Sequence, residues 1–68
     1  MRVPADLAAA LKKNTKAKAA FGAFPPSQRN EYIAWITEAK TEGTRARRLG
    51  TAVEWIAEGK ARNWKYAR

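Results

Sequence analysis

Basic, aromatic and apolar side chains alternate within one twenty-residue stretch: Arg29, Tyr32, Trp35, Ile36, Ala39, Lys40, Thr44, Arg45, Arg47 and Arg48. Guanidinium groups recognise carboxylates and phosphates through paired N–H donors, so the chemistry on offer is anion binding. At helical spacing Arg29 and Lys40 border an apolar stripe, which sets their stems against the core and their charged heads at its rim. Arg45, Arg47 and Arg48 are expected in the first turn of a helix opening at Thr44. Free backbone N–H groups already make that end positive, and each added cation there is unfavourable by about 0.3–1 kcal/mol.

Such a placement calls for an anion. One source is internal: Glu38 and Glu42, across a hairpin turn, would pair with Arg45, Arg47 or Arg48, although exposed pairs contribute only about 0–1 kcal/mol. The other is an external phosphate or carboxylate held by the helix N–H groups and the arginines. Trp55 falls off the apolar stripe of the same helix, on the flank of Arg48 and Thr51. It is expected to be covered by the first helix or the C-terminal tail, the alternative being a part in a contact surface. The candidate binding set is therefore Arg29, Lys40, Arg45, Arg47, Arg48 and Trp55.

Catalysis finds little support in the same residues. The chain has neither His nor Cys, so acid–base and nucleophilic work would fall to side chains that need a buried partner to be activated. Glu54 and Glu58 stand one helical turn apart, but the simpler explanation is a polar helix face near Arg47. The four glycines are scattered singly, and no phosphate-cradling loop is formed. The expectation is a non-enzyme with no catalytic residues, no cofactor and no metal site.

Helices must position these groups. The first is expected from about Pro4 to Lys13, with Asp6 at its positive end, Lys12 and Lys13 at its negative end, and Leu7, Ala10 and Leu11 buried. Asn14 ends it and Thr15 caps the second, whose Ala17, Ala20, Phe21 and Phe24 share one face. Pro25 and Pro26 force a break. A third helix is expected from Pro26 or Ser27 to about Glu42, centred on Tyr32, Ile36 and Ala39, with Trp35 and Ile33 on its edges. Gly43 should close it and Thr44 cap a fourth, which buries Ala46, Leu49, Val53, Ile56 and Ala57 and ends at Gly59.

The fold class is thus all-α: a small three- to four-helix bundle in which helices three and four form an antiparallel hairpin. Residues 3–60 read as the helical module and residues 61–68 as a basic, aromatic C-terminal tail. With 68 residues the chain encloses one core. Lacking disulfides and metals, it depends on regular helix packing for stability.

The net charge of +8 is unevenly spread. Residues 1–24 carry five basic side chains against one acidic, residues 25–43 two against three, and residues 44–68 seven against two. Basic character at both ends attracts anionic partners without naming one. The expected partner is an anionic macromolecule or an acidic protein surface, with nucleic acid as the alternative. No apolar run is long enough for a membrane span, and Arg2 to Asp6 carry no hydrophobic signal. A cytoplasmic, monomeric protein is expected.

The pattern Arg29-x-x-Tyr32-x-x-Trp35-Ile36-x-x-Ala39-Lys40, then Thr44-Arg45-x-Arg47-Arg48, resembles the signature of the bacterial YdeI/OmpD-associated, or bacteriocin-protection, family. The Val3-Pro4-x-Asp6-Leu7 opening and the Ala23-Phe24-Pro25-Pro26-Ser27 stretch resemble it too, so the likeness covers about Val3 to Lys60. It departs at Asn14-Thr15, where relatives often have Pro, and in the tail. The resemblance implies a helical module linked by family name to bacteriocin protection and an outer-membrane porin. It transfers no catalytic residue and no cofactor.

The expected function is therefore a non-catalytic interaction module that binds an anionic partner through a basic helix-turn-helix-like surface, in stress or bacteriocin protection. The alternative is a nucleic-acid-binding helical domain, against which stands the lack of Asn or Gln among the first residues of helix four. A third possibility is an accessory domain that docks through its aromatic flank.

Overall fold

The computed structural model describes residues 2–62, and within them the chain forms four helices and no strand. Helix α1 spans Ala5–Lys13, α2 Thr15–Ala23, α3 Pro26–Thr37 and α4 Glu42–Ala57. The all-α bundle expected from periodicity is what forms. No helix among the described residues is long and apolar enough to cross a membrane. Of the C-terminal tail, Asn63 to Arg68, including Trp64 and Tyr66, lie outside the described residues.

Helix α4 is the centre of the bundle and packs against each of the other three. The core takes Leu7 and Leu11 from α1, Ala17 and Phe21 from α2, Tyr32, Ile33 and Ile36 from α3, and Ala52 and Ile56 from α4. That position explains a difference from the expected α4 stripe. Ala52 is buried, while Leu49, Val53 and Ala57 are half-buried at the edge of the core and Ala46 is exposed. A helix packed on several neighbours buries the positions that face them and leaves those pointing between them at the edge of the core. Helices α3 and α4 run in opposite directions: Tyr32 reaches Lys60 just after α4, whereas the later Trp35 meets Arg48 within it.

The caps also differ in detail. Asn14, not Thr15, caps α2: its backbone is extended, and its side-chain oxygen accepts the Ala17 N–H at 3.1 Å. The same residue donates its own N–H to the Leu11 carbonyl at 3.1 Å, so one residue serves two helix ends.

The largest correction concerns the α3–α4 turn. Helix α3 stops at Thr37, five residues before the expected Glu42. The Thr37 hydroxyl bonds back to the carbonyls of Ile33 and Ala34, a local alternative to further helix. Thr41 then caps α4, accepting the Thr44 N–H at 3.2 Å while its hydroxyl donates to the Thr44 hydroxyl at 3.0 Å. Gly43 therefore lies inside the first turn of α4 and closes nothing. The helix-closing glycine is Gly59, the residue with positive φ (76°) among those described. Gly59 N–H reaches the Ile56 carbonyl and Lys60 N–H the Trp55 carbonyl, the paired bonds of a left-handed helix stop.

A groove of arginines and stacked indoles

Because α4 begins at Glu42, Arg45, Arg47 and Arg48 lie beyond its first turn, and an acidic residue occupies the positive end instead. The cost inferred for crowded cations at a helix N-terminus is therefore largely relieved by where the helix starts. The free N–H groups and the arginines do not converge on one point.

Each candidate side chain has its own place. Arg29 donates to the Phe24 carbonyl at 3.0 Å and, more weakly, to that of Gly22 at 3.4 Å. Pro25 and Pro26 have no N–H to offer the end of α2, and Arg29 supplies donors there. Arg45 forms a two-pronged pair with Asp6 of α1, Nε to Oδ2 at 2.7 Å and Nη2 to Oδ1 at 3.2 Å. The internal counter-ion thus exists, but it is Asp6 and not Glu38 or Glu42. The guanidinium beside it, with a smaller contribution from the Leu7 N–H, holds the Asp6 carboxyl below its ordinary value. The same hydrogen bond raises the Arg45 pKa. Lys40 is exposed between α3 and α4.

Arg47, Arg48 and Trp55 do come together. With Trp35, Thr44 and Thr51 they line an open groove of about 400 Å³. Trp35 and Trp55 stack with ring centroids 5.7 Å apart and planes 7° from parallel, so α3 stands against one face of Trp55, while the tail residues 63–68, also expected to cover it, lie outside the described residues. Arg48 donates to the Trp35 carbonyl at 2.7 Å and sets its guanidinium carbon 5.5 Å from the Trp35 ring centre. This fixes Arg48 by a hydrogen bond and a cation–π contact. Arg47 is exposed and makes no hydrogen bond or ion pair among the described residues.

The opposite flank of Trp35 has a different character. A shallower recess of about 230 Å³ is bounded by Glu31, Ala34, Trp35, Glu38 and Arg62, with Arg62 5.6 Å from the Trp35 ring centre. Trp35 therefore separates a basic groove from a partly acidic one. Thr51 was noted in the sequence only as a neighbour of Trp55, and Trp35 as an edge of the α3 apolar face, yet a signal existed: Thr44, Arg47, Arg48, Thr51 and Trp55 follow the i, i+3, i+4, i+7, i+11 spacing of one helical face.

The fold and groove define a small helical module with an arginine- and indole-lined groove. The family model for "Bacteriocin-protection, YdeI or OmpD-Associated" proteins matches residues 1–59, and the chain belongs to that family. Neither the comparison with curated proteins nor that with solved structures gives a match.

Proposed function

We propose that this chain is a non-catalytic bacterial interaction module that binds an anionic group of its partner in the Arg47–Arg48 groove, in bacteriocin protection, as the family description suggests, or in a stress response. The observation that carries it is the division of labour among the arginines. Arg45 is engaged by Asp6 and Arg29 by the end of α2, whereas Arg47 extends beside an Arg48 already held in place by Trp35. A fixed guanidinium next to an uncommitted one, with two threonine hydroxyls and indole surface around them, suits an oxyanion carried on an apolar scaffold. Glu42 at the start of α4 argues against a helix-turn-helix grip on duplex DNA, because that end of the second helix enters the major groove, where the surrounding phosphates repel a carboxylate.

The stacked indoles supply the assay. Titration with inorganic phosphate or sulfate should change the intrinsic tryptophan emission saturably, while chloride at equal ionic strength should not. Arg47→Gln should weaken that response by about tenfold or more, the scale of one charged hydrogen bond, with an unchanged melting curve. Equal responses from the native protein and Arg47→Gln would defeat the proposal. A binding survey with duplex DNA at low and physiological salt separates the alternative, for which affinity should fall steeply with salt.

A further inference from the structure

A second face, built by α1 and α2 and independent of the arginine groove, has its own chemistry. Leu11 and Phe21, each 6% exposed, floor an apolar groove of about 420 Å³ between these helices, with Val3 and Ala8 on its walls. Its size falls within the roughly 300–1,000 Å³ of clefts that hold ligands. Lys12 and Lys18 stand at its rim, and Lys13 and Lys16 flank the same one-residue link. All four lysines are exposed, and none forms an ion pair among the described residues. The carboxylate on these two helices, Asp6, is already bound to Arg45. The lysine rim therefore has no counter-charge bound to it among the described residues.

We propose that this groove docks an acidic peptide segment of a protein partner, inserting a bulky aliphatic side chain between Leu11 and Phe21 while its carboxylates meet Lys12 and Lys18. Charge complementarity selects this occupant. A second copy of the chain would bring the same lysines and a net charge of +8 against them. A lipid surface is a poorer fit, because the apolar surface is recessed and, among the described residues, Val3, at 36%, is the exposed large hydrophobic one. The lysine stems lengthen the apolar walls and place the ammonium groups where carboxylates flanking an inserted leucine would lie.

Gly22 provides a direct test. It lines the groove in α2, and a Cβ added there meets nothing within 4 Å. Gly22→Leu should fill the groove while raising the helix propensity of α2. The probe is a synthetic helical peptide of Glu and Ala carrying two leucines one turn apart, titrated into the full 68-residue chain by calorimetry. The native protein should bind it. Replacing the peptide leucines by Ala should weaken binding about tenfold or more, as should Gly22→Leu. Lys12→Gln with Lys18→Gln should weaken binding several-fold and flatten its salt dependence. Arg47→Gln should leave this affinity unchanged, which separates the two sites. Unaltered peptide binding by Gly22→Leu would overturn the proposal, as would equal affinity for the leucine-free peptide. Tighter binding of Gly22→Leu than of native protein to anionic phospholipid vesicles, with no peptide binding by either, would overturn it in favour of a membrane.

Discussion

Tyr32→Phe should make the protein less stable at neutral pH and more stable than the native chain at high pH. Tyr32 is fully buried on α3, with its ring stacked on Phe24 at 6.2 Å, and its hydroxyl donates to the Lys60 carbonyl just after α4. Phenylalanine keeps the ring and loses only that hydrogen bond, a cost of about 0.5–1.5 kcal/mol. For a domain of this size, 1 kcal/mol lowers Tm by about 4–8 °C. Burial also pushes the Tyr32 hydroxyl up to about 12 from 10.0, against a smaller opposing effect of Arg62. Its stabilising contribution is fully present below the unfolded value and is lost as pH rises toward the folded one, because the unfolded chain ionises first. A rise of that size is worth on the order of 3 kcal/mol once pH has passed the folded value. An advantage of about 1 kcal/mol would be cancelled roughly 0.7 pH unit above the unfolded pKa, so the two stability curves should cross between about pH 10.5 and 11. Denaturant melts of both proteins across that range, with the tyrosinate absorbance difference as a parallel readout, check it. Equal stability at neutral pH, or curves that stay parallel up to about pH 12, would contradict this account of Tyr32.

Other expectations concern the seams and caps. Ile36→Ala should cost about 2–5 kcal/mol and leave little folded protein, while the half-buried Leu49→Ala should cost less; equal loss in thermal melts would place Leu49 in the core. Thr41→Ala should destabilise by about 1 kcal/mol, and Thr44→Ala by less, since Thr41 caps α4; the reverse order would restore the cap to Thr44. Asp6→Asn should lower Tm at neutral pH, with the difference from the native chain shrinking as pH falls below the ordinary carboxylate value of 3.8 and through the depressed Asp6 value. A pH-independent difference would show that the Asp6–Arg45 pair does not act through charge.

The expectations that survived rest on local physics. The Pro25-Pro26 break and the Gly59 stop depend on residues adjacent in the chain and are found, as is the apolar spacing of Leu7 and Leu11 in α1 and of Ala17 and Phe21 in α2; the α4 stripe instead turns onto Ala52 and Ile56, and Ala39 lies beyond the end of α3. The core pairing of Tyr32 with Ile36 is found too, because an apolar helical face must be buried wherever its partners lie. The boundary between α3 and α4 was harder to read because Thr41 and Thr44 offer similar caps three residues apart. Thr37 bonding back to α3 and the paired threonine hydroxyls settled it.

Packing in three dimensions allotted the arginines. In sequence Arg29, Arg45, Arg47 and Arg48 are equivalent cations in one motif. Asp6, 39 residues from Arg45, claims it only because α1 packs on α4, and the end of α2 claims Arg29 because the prolines there lack donors. The stacking of Trp55 on Trp35 likewise depends on how α3 and α4 lie together, which no spacing within either helix contains. Periodicity specified which residues share a face, since that follows from the helical repeat. Packing specified which faces meet, and so which charges are neutralised inside the fold and which stay exposed.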